Sequence, residues 1–349
     1  MKINRIICTC ILLIYFIFFS CKKGSINNFE NPSGAYIAGV CNDTAVYWKN
    51  EEKINLTDGK NKASANSIYV TNTHIYVVGY VTINNKYVAT LWDNGVETHL
   101  GSGIQNSSAN SITISGNDIY IAGYEYHNNS TVATYWKNGI PTYLTVTSGT
   151  YYSLANSIFV VGNDVYIAGQ QSANSGNSME IATYWKNGVI NNLDSGIQYA
   201  TANSIYVSGN DIYVAGAETD MQGQGYSYAT YWKNGAINKL TSPIYLSYAK
   251  AIIAYANDVY VVGFLHEPTG VLATYWKNGN RIDVTSINPN STSNMANLSS
   301  IWVTNNDIYL VGQEFINNAF VARIWKNNIA TTLSGAWGFS DAHSIFVRE

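Results

Sequence analysis

Short apolar runs separated by turn-forming residues fill the chain from Gly34 onward. Residues 204–208 and 212–215 are rich in Ile, Val and Tyr, and the Gly-Asn-Asp sequence between them tolerates the positive φ of a tight turn. Apolar residues occupy both faces of these two strands, which is typical of a sheet packed between two neighbouring sheets. No segment shows a convincing helical period. The pattern therefore predicts an all-β fold.

The same pattern recurs seven times along the chain. The clearest unit reads ANSIYVSGNDIYVAG, continues through a variable stretch to ATYWKNG, and ends in a short fourth strand. Its tryptophans recur every 44 to 49 residues, at Trp48, Trp92, Trp136, Trp185, Trp232, Trp276 and Trp325. Because they occupy one strand position, we expect them to pack between sheets rather than to form a ligand cage. The Lys-Asn-Gly that follows is interpreted as a hairpin turn.

Four strands in each of seven units resemble a seven-bladed β-propeller of four-stranded antiparallel blades. The strand order is similar to that of WD40-like blades, with the tryptophan near the end of the third strand. Trp92-Asp93 is the only Trp-Asp pair, however, and the Gly-His element and the paired glycines of kelch-like blades are absent. The resemblance reaches only to propeller-bearing bacterial lipoproteins, and it implies one propeller domain over residues 34–349.

The two ends of this domain complement each other. Residues 34–39 read as a second strand that lacks its first, and residues 342–347 read as a first strand that lacks its second. Pairing them would complete the first blade and remove two unpaired sheet edges. The sequence therefore predicts a ring that is closed by the C-terminal strand.

The N-terminus is typical of a secretory signal. After a basic start, residues 6–19 form a 14-residue apolar run, shorter than the roughly 20 residues that span a bilayer. Cys21 after Ser20 resembles the lipidation site of bacterial lipoproteins, which implies a signal over 1–20 and a lipid-anchored tether over 21–33. The residue that follows, a lysine, resembles outer-membrane sorting. The alternative is an ordinary signal peptide with an incidental cysteine.

Composition narrows the functional classes. Only 12% of the residues are charged, 46% are hydrophobic, and the net charge is −3, which excludes a disordered chain and argues against nucleic-acid binding. The five histidines share no metal-ligand spacing, and no catalytic motif is evident, so no metal, cofactor or enzymatic activity is expected. Four acids are the candidates for a glycosidase-like pair, although their default interpretation is as solvated loop residues: Glu125, Glu218, Glu267 and Glu314. Cys41, without a disulfide partner, is interpreted as a small buried residue.

Differences in length between the units are confined to two of the four strand connections. The distance from the Asn of Ala-Asn-Ser to the Gly that ends strand two is always 13 residues. The variable links, from strand two to three and from strand four to the next strand one, lie on one face of an up-and-down blade. This indicates a binding surface, although neutral variation of tolerant loops is the alternative. Its aromatic and polar residues are Tyr124, Tyr126, His127, Tyr151, Tyr152, Tyr226, Tyr228, Phe264, His266 and Phe315.

A second candidate site is the central funnel. Its predicted ring is Asn66, Asn110, Asn156, Asn203, Lys250, Ser299 and His343. The amides either grip the hydroxyls of a carbohydrate or, as we favour, bond the adjacent backbone as turn residues. The three departures from Asn belong to neighbouring blades and predict an off-centre patch.

Three functions remain open at this point. The favoured one is a monomeric, non-enzymatic scaffold of the outer membrane, held by its lipid anchor, that binds envelope proteins through the variable links. The second is a glycan-binding propeller. The third is a glycan-active hydrolase or lyase.

Overall fold

A computed structural model describes residues 33–173, 179–194, 199–219, 225–242, 245–285, 294–333, 335 and 338–349. Within these ranges the regular secondary structure consists of 28 β-strands. No helix in this described part is long and apolar enough to cross a membrane. The proposed signal, Cys21 and most of the tether lie outside it.

The strands form seven antiparallel sheets of four, each called a blade. Blade one contains β1 (Gly34–Cys41), β2 (Thr44–Lys49), β3 (Glu52–Asn55) and the last strand, β28 (Ser340–Arg348). Blades two and three contain β4 (Ala63–Val70), β5 (Ile75–Ile83), β6 (Lys86–Asp93), β7 (Val96–His99), β8 (Ser107–Ser115), β9 (Asp118–His127), β10 (Ser130–Lys137) and β11 (Ile140–Tyr143). Blades four and five contain β12 (Thr150–Val161), β13 (Asp164–Ala173), β14 (Glu180–Lys186), β15 (Val189–Asn192), β16 (Ala200–Ser208), β17 (Asp211–Thr219), β18 (Ser227–Lys233) and β19 (Ala236–Lys239). Blades six and seven contain β20 (Ser247–Tyr255), β21 (Asp258–Glu267), β22 (Gly270–Lys277), β23 (Asn280–Asp283), β24 (Ala296–Val303), β25 (Ile308–Ile316), β26 (Ala319–Lys326) and β27 (Ile329–Thr332).

The last strand closes the ring. β28 pairs antiparallel with β1, from Gly34 opposite Arg348 to Cys41 opposite Ser340. The predicted closure is therefore confirmed. The chain is a seven-bladed β-propeller.

Asparagines at positive φ make the hairpins between strands three and four. Between β6 and β7, Asn94 has a φ of 48° and Gly95 a φ of 78°, the pair of values that such a two-residue turn requires. The Asn94 side chain then accepts a hydrogen bond from the Ile75 amide at 2.9 Å, which ties this turn to the start of β5. The Asn-Gly sequence therefore forms the hairpin turn, as predicted.

The hydrophobic core lies between the blades. Seven clusters of buried residues each join two neighbouring blades, and all seven repeated tryptophans are at most 1% exposed. Trp92 of blade two, for example, packs with Tyr36 and Ala38 of blade one. Their predicted packing role is confirmed.

A β-bulge in every first strand explains the constant 13-residue spacing. In β16 the register with β17 skips Asn203, which is the extra, unpaired residue. The bulge brings the Thr201 carbonyl oxygen over Gly216 of β17, where an added Cβ would lie only 1.8 Å from that oxygen. The bulged residue and the glycine therefore have to keep a fixed position relative to each other in the hairpin. Each of the other six blades has a bulge and a facing glycine at the same positions.

The connections between strands divide between the two faces of the disc. The links from strand two to three and from strand four to the next strand one meet on one face, as the hydrogen bond from the Tyr126 amide to the Asn106 carbonyl shows (2.9 Å). We call this the variable face, and the opposite one the constant face. β1 begins on the constant face, because the Asn50 amide of the strand-three-to-four turn bonds the Ala35 carbonyl (2.9 Å).

Candidate binding site: a tyrosine-lined cavity on the variable face

A cavity of about 530 Å³ opens on the variable face between blades five and six. Its lining residues are Tyr226, Tyr245, Leu246, His266 and Pro268. The two tyrosines are 39% and 40% exposed, so both rings are accessible from solvent. The wall is therefore mainly apolar, with phenol and imidazole groups at its edge.

A backbone hydrogen bond fixes the blade-six side of this cavity. His266 is the residue before the last of β21, and its amide donates a hydrogen bond to the Leu246 carbonyl at 2.7 Å. Leu246 belongs to the link that enters β20, so this bond fixes the link against the second strand of the same blade. Tyr226 precedes β18 of the neighbouring blade.

The sequence predicted two of the five lining residues. Tyr226 and His266 were in the predicted surface, but Tyr245, Leu246 and Pro268 were not. Tyr245 lies in the link from strand four of blade five to strand one of blade six. This is one of the two kinds of connection that vary in length, so the sequence did offer a signal for Tyr245.

A smaller cavity of about 260 Å³ lies nearby, across blades four to six. Its lining residues are Glu180, Tyr199, Thr201, Ala217, Thr219, Ser227 and Tyr248. The Tyr248 hydroxyl donates to Ser227 Oγ at 3.2 Å, and Ser227 Oγ lies 2.7 Å from Thr219 Oγ1. At its border, burial and a hydrogen bond to Glu180 both raise the pKa of Tyr152.

The other predicted surface residues lie in different blades. In blade three Tyr126 is 38% exposed, and the exposed His127 ring stacks on Tyr143 with centroids 4.4 Å apart. Tyr124 is half-buried, and burial raises its pKa. In blade seven the half-buried Phe315 packs edge-on against Phe320. The predicted aromatic residues therefore form several separate groups.

Tyr228 is not part of the accessible surface, which corrects the sequence prediction. It lies within β18, and its side chain is only 2% exposed. The hydroxyl donates to Glu218 Oε2 at 2.7 Å, and the Lys239 ammonium lies 4.4 Å from the ring centroid. Its role is to satisfy a buried carboxylate.

The candidate acids all have partners. Glu218, at 8% exposure, is buried rather than solvated, so its interpretation as a loop acid was wrong. Glu125 accepts from the Tyr143 hydroxyl at 3.0 Å. Glu267 and Glu314 form ion pairs with arginines at 2.8 and 3.1 Å. Among the described residues, no three His, Cys, Asp or Glu side chains are grouped as metal ligands would be.

Cys41 is buried, as expected from the sequence, at 4% exposure. Its thiol donates to the Gly335 carbonyl at 3.1 Å. This contact joins the end of β1 to the link that leads into β28.

The funnel amides bond the backbone of the next blade. The bonds run from Asn66 Nδ2 to Ala109 O (3.0 Å), Asn110 Nδ2 to Ala155 O (2.9 Å), Asn156 Nδ2 to Ala202 O (2.9 Å) and Asn203 Nδ2 to Ala249 O (2.8 Å). These acceptors lie across the blade interface, whereas a turn role would have placed them within the same blade. The amides therefore link successive blades around the funnel.

Two of the three departures from Asn, His343 and Lys250, behave differently from each other. His343 makes the equivalent bond to the next blade, with its Nδ1 2.9 Å from the Ala65 carbonyl oxygen. Burial lowers the pKa of His343, but Asp341 and the Ala65 carbonyl raise it by more. The net result is a pKa above the usual value of 6.5. Burial lowers the pKa of Lys250, and the charge of Asp341 partly offsets this effect. The lysine side chain is nonetheless exposed to solvent in the funnel.

Comparisons with known proteins extend to the fold alone. No protein-family model matches the chain, and no curated protein does. Among solved structures, it is similar to the β-propeller domain of the Trilobed protease from Pyrococcus furiosus, with a TM-score of 0.53 at 11% identity. The match covers 87% of this chain and 92% of that one. That domain is described as having an open velcro topology, whereas here β28 pairs with β1.

Proposed function

We propose that the chain is a non-enzymatic, lipid-anchored protein of the cell envelope whose variable face binds protein partners. The observation that carries the proposal is the tyrosine-lined cavity between blades five and six. It is mainly apolar, open to solvent and built on a closed ring of blades, which is the form that a pocket for an anchoring side chain takes in a protein interface.

The lining chemistry supports a protein partner. Tyr226 and Tyr245 present apolar rings with a polar tip, and tyrosine is enriched in protein interfaces because it adds a large contact area at low entropic cost. The bond from the His266 amide to the Leu246 carbonyl organises the wall before a partner arrives. A cavity of about 530 Å³ accommodates one or two large side chains.

The direction of chain entry supports this use of the faces. Because β1 begins on the constant face, a tether over 21–33 ending in a lipidated Cys21 would leave from that face. The variable face would then point away from the membrane. The lipid anchor, the outer-membrane location and the monomeric state are parts of this proposal.

The state of the acids supports a non-enzymatic role. A glycosidase pair needs one carboxylate as an acid and another as a base or nucleophile, both open to substrate. Glu125, Glu218, Glu267 and Glu314 each have a tyrosine or arginine partner instead.

The test is a quantitative comparison of proteins that co-purify from envelope membranes. The Tyr226→Ser/Tyr245→Ser double variant should lose a partner that the wild-type protein retains. Val189→Ser/Ile329→Ser, which changes two constant-face residues that are 65% and 73% exposed, is the matched control and should keep it. Equal partner recovery with both double variants would refute the proposal.

Glycan binding in the same cavity is a second candidate, because its two exposed tyrosine rings suit stacking on sugars. A glycan array probed with the full-length protein in detergent separates the two functions. A specific sugar signal that Tyr245→Ser abolishes would replace protein binding as the explanation of the cavity.

A further inference from the structure

The smaller cavity, of about 260 Å³, is walled mainly by polar side chains, and we call it the hydroxyl-lined cavity. It lies on the variable face where β16 begins, and it shares no lining residue with the tyrosine-lined cavity. Besides Ala217, its lining residues are Glu180, Tyr199, Thr201, Thr219, Ser227 and Tyr248. Small-molecule sites usually measure about 300–1,000 Å³, so this cavity has the size for one small ring.

Three neighbouring blades hold the walls of this cavity in place. Thr219 and Ser227 form the last cross-strand pair of β17 and β18. The Thr219 amide also donates to the Tyr199 carbonyl at 2.8 Å, which fixes the link into β16 against β17. Glu180 begins β14 of blade four, and Tyr248 lies in β20 of blade six. Because the polar groups are carried mostly by strands, their positions are set before a ligand binds.

Thr201 departs from the residues that occupy its position in blades two and three. Those residues are serines that donate to a funnel asparagine two positions later. Ser64 donates to Asn66 Oδ1 at 2.9 Å. Ser108 donates to Asn110 Oδ1 at 3.0 Å. The Thr201 hydroxyl has no hydrogen-bond partner within the described ranges, so it remains available to a ligand in the cavity.

Other groups on the wall also keep unused donors and acceptors. Ser227 Oγ accepts from the Tyr248 hydroxyl at 3.2 Å and lies 2.7 Å from Thr219 Oγ1. One hydroxyl hydrogen of the Ser227–Thr219 pair serves their mutual contact, and the other is left to donate. The Tyr248 oxygen can still accept. Glu180 accepts from the Tyr152 hydroxyl through Oε1, and its Oε2 has no partner among the residues that the structure describes.

We propose that the hydroxyl-lined cavity binds one pyranose ring of a neutral saccharide. Sugar hydroxyls donate to Glu180 Oε2 and to the Tyr248 oxygen. The Thr201 hydroxyl and the spare hydrogen of the Ser227–Thr219 pair donate to sugar oxygens. The two tyrosine rings of the wall offer an apolar surface to its C–H groups. This site goes beyond the proposed function and does not depend on it.

Charge and polarity select this ligand class. Glu180 is the one charged side chain among the described lining residues, and it repels an anion. The Lys250 ammonium already lies 5.5 Å from the Tyr248 ring centroid, so a second cation beside this ring would meet a like charge. An apolar ligand would displace water from the wall hydroxyls without replacing its hydrogen bonds. A neutral polyol, which donates and accepts within one molecule, avoids all three costs.

The test is titration calorimetry of the full-length protein, in a detergent without a sugar headgroup, with glucose, galactose, mannose and N-acetylglucosamine. At least one sugar should bind with a millimolar or lower Kd. Thr201→Val removes one hydroxyl at nearly constant shape and should weaken binding at least about fivefold. Glu180→Gln removes the charge and should weaken it at least about tenfold. Both variants should melt as the wild-type protein does.

Two control variants separate this site from the rest of the surface. Thr142→Val makes the same substitution on the exposed strand β11 and should bind sugar as the wild-type protein does. Tyr245→Ser changes the tyrosine-lined cavity and should also leave the sugar affinity unchanged. Loss of sugar binding in Tyr245→Ser would place the sugar in that cavity and overturn the proposal. The co-purification test of the proposed function concerns that other cavity, so the two proposals can fail separately.

Three further results would overturn the proposal. The first is that none of the four sugars binds. The second is a wild-type sugar affinity in both Thr201→Val and Glu180→Gln. The third is binding of methylammonium or acetate, with loss in Glu180→Gln, where no sugar binds.

Discussion

Replacing Gly216 with alanine tests the relation between the bulge and the glycine that faces it. The new Cβ would lie 1.8 Å from the Thr201 oxygen, 2.9 Å from its carbonyl carbon and 3.1 Å from Trp232 Cζ3. Real Cβ contacts essentially never fall below 3.0 Å, so β16 and β17 would have to separate by about 1 Å. Neighbouring strands are only about 4.8 Å apart, so this movement breaks ladder hydrogen bonds and opens the packing around Trp232.

We expect Gly216→Ala to lower the free energy of unfolding by about 3 kcal/mol or more, at or beyond the upper end of what overfilling a packed interior usually costs. The assay is denaturant unfolding, followed by tryptophan fluorescence and far-UV circular dichroism. Gly235→Ala is the control in the same blade, because Gly235 has a φ of 81° but open space around its Cβ position. That variant should lose only about 1–2 kcal/mol. A Gly216→Ala protein no less stable than Gly235→Ala would refute the steric account.

The remaining predictions concern the ring. Deleting residues 342–349 removes most of β28, and we expect a lower melting temperature and a less cooperative transition; an unchanged melting curve would contradict closure by this strand. Asn110→Ala removes the bond to Ala155 and leaves the Ser108 hydroxyl without its acceptor at 3.0 Å. We expect the free energy of unfolding in urea to fall by about 2 kcal/mol, and a loss below about 0.5 kcal/mol would show that the amide bond is not structural. The raised pKa of His343 stabilises the fold below pH 6.5, and this contribution is lost as the pH rises through the folded-state pKa. In His343→Asn, stability should therefore fall less between pH 6 and 8 than in the wild-type protein, and parallel pH profiles would contradict this.

The repeat made the fold predictable from sequence. Tryptophans in one frame gave the number of blades, and the 13-residue spacing between Asn203 and Gly216 reflected a steric pair that each blade needs. The complementary ends predicted the pairing of β1 with β28. Each of these signals repeats along the chain, or joins its two ends, and needs no knowledge of side-chain contacts.

The site was less predictable, because contacts between blades decide it. Tyr226 and Tyr228 are two positions apart, yet one lies outside β18 at a cavity and the other is buried against Glu218. Loop lengths separated the variable face from the constant face but could not show which links meet. The funnel asparagines were visible as a repeat in the sequence, whereas their acceptors on the next blade, such as Ala109 for Asn66, became evident only in the structure.

The central claim, that the variable face is the binding face, is tested most directly by photocrosslinking in cells. A photoreactive residue is placed singly at Tyr126 and Tyr226 on the variable face, and at Val189 and Ile329 on the constant face. The constant-face side chains are 65% and 73% exposed, more than the 38% and 39% of the two tyrosines, so a lack of crosslinks there would not reflect poor accessibility. We predict a discrete crosslinked protein from Tyr226, and none of that size from Val189 or Ile329. Crosslinks to one protein from the constant-face positions alone would contradict the claim.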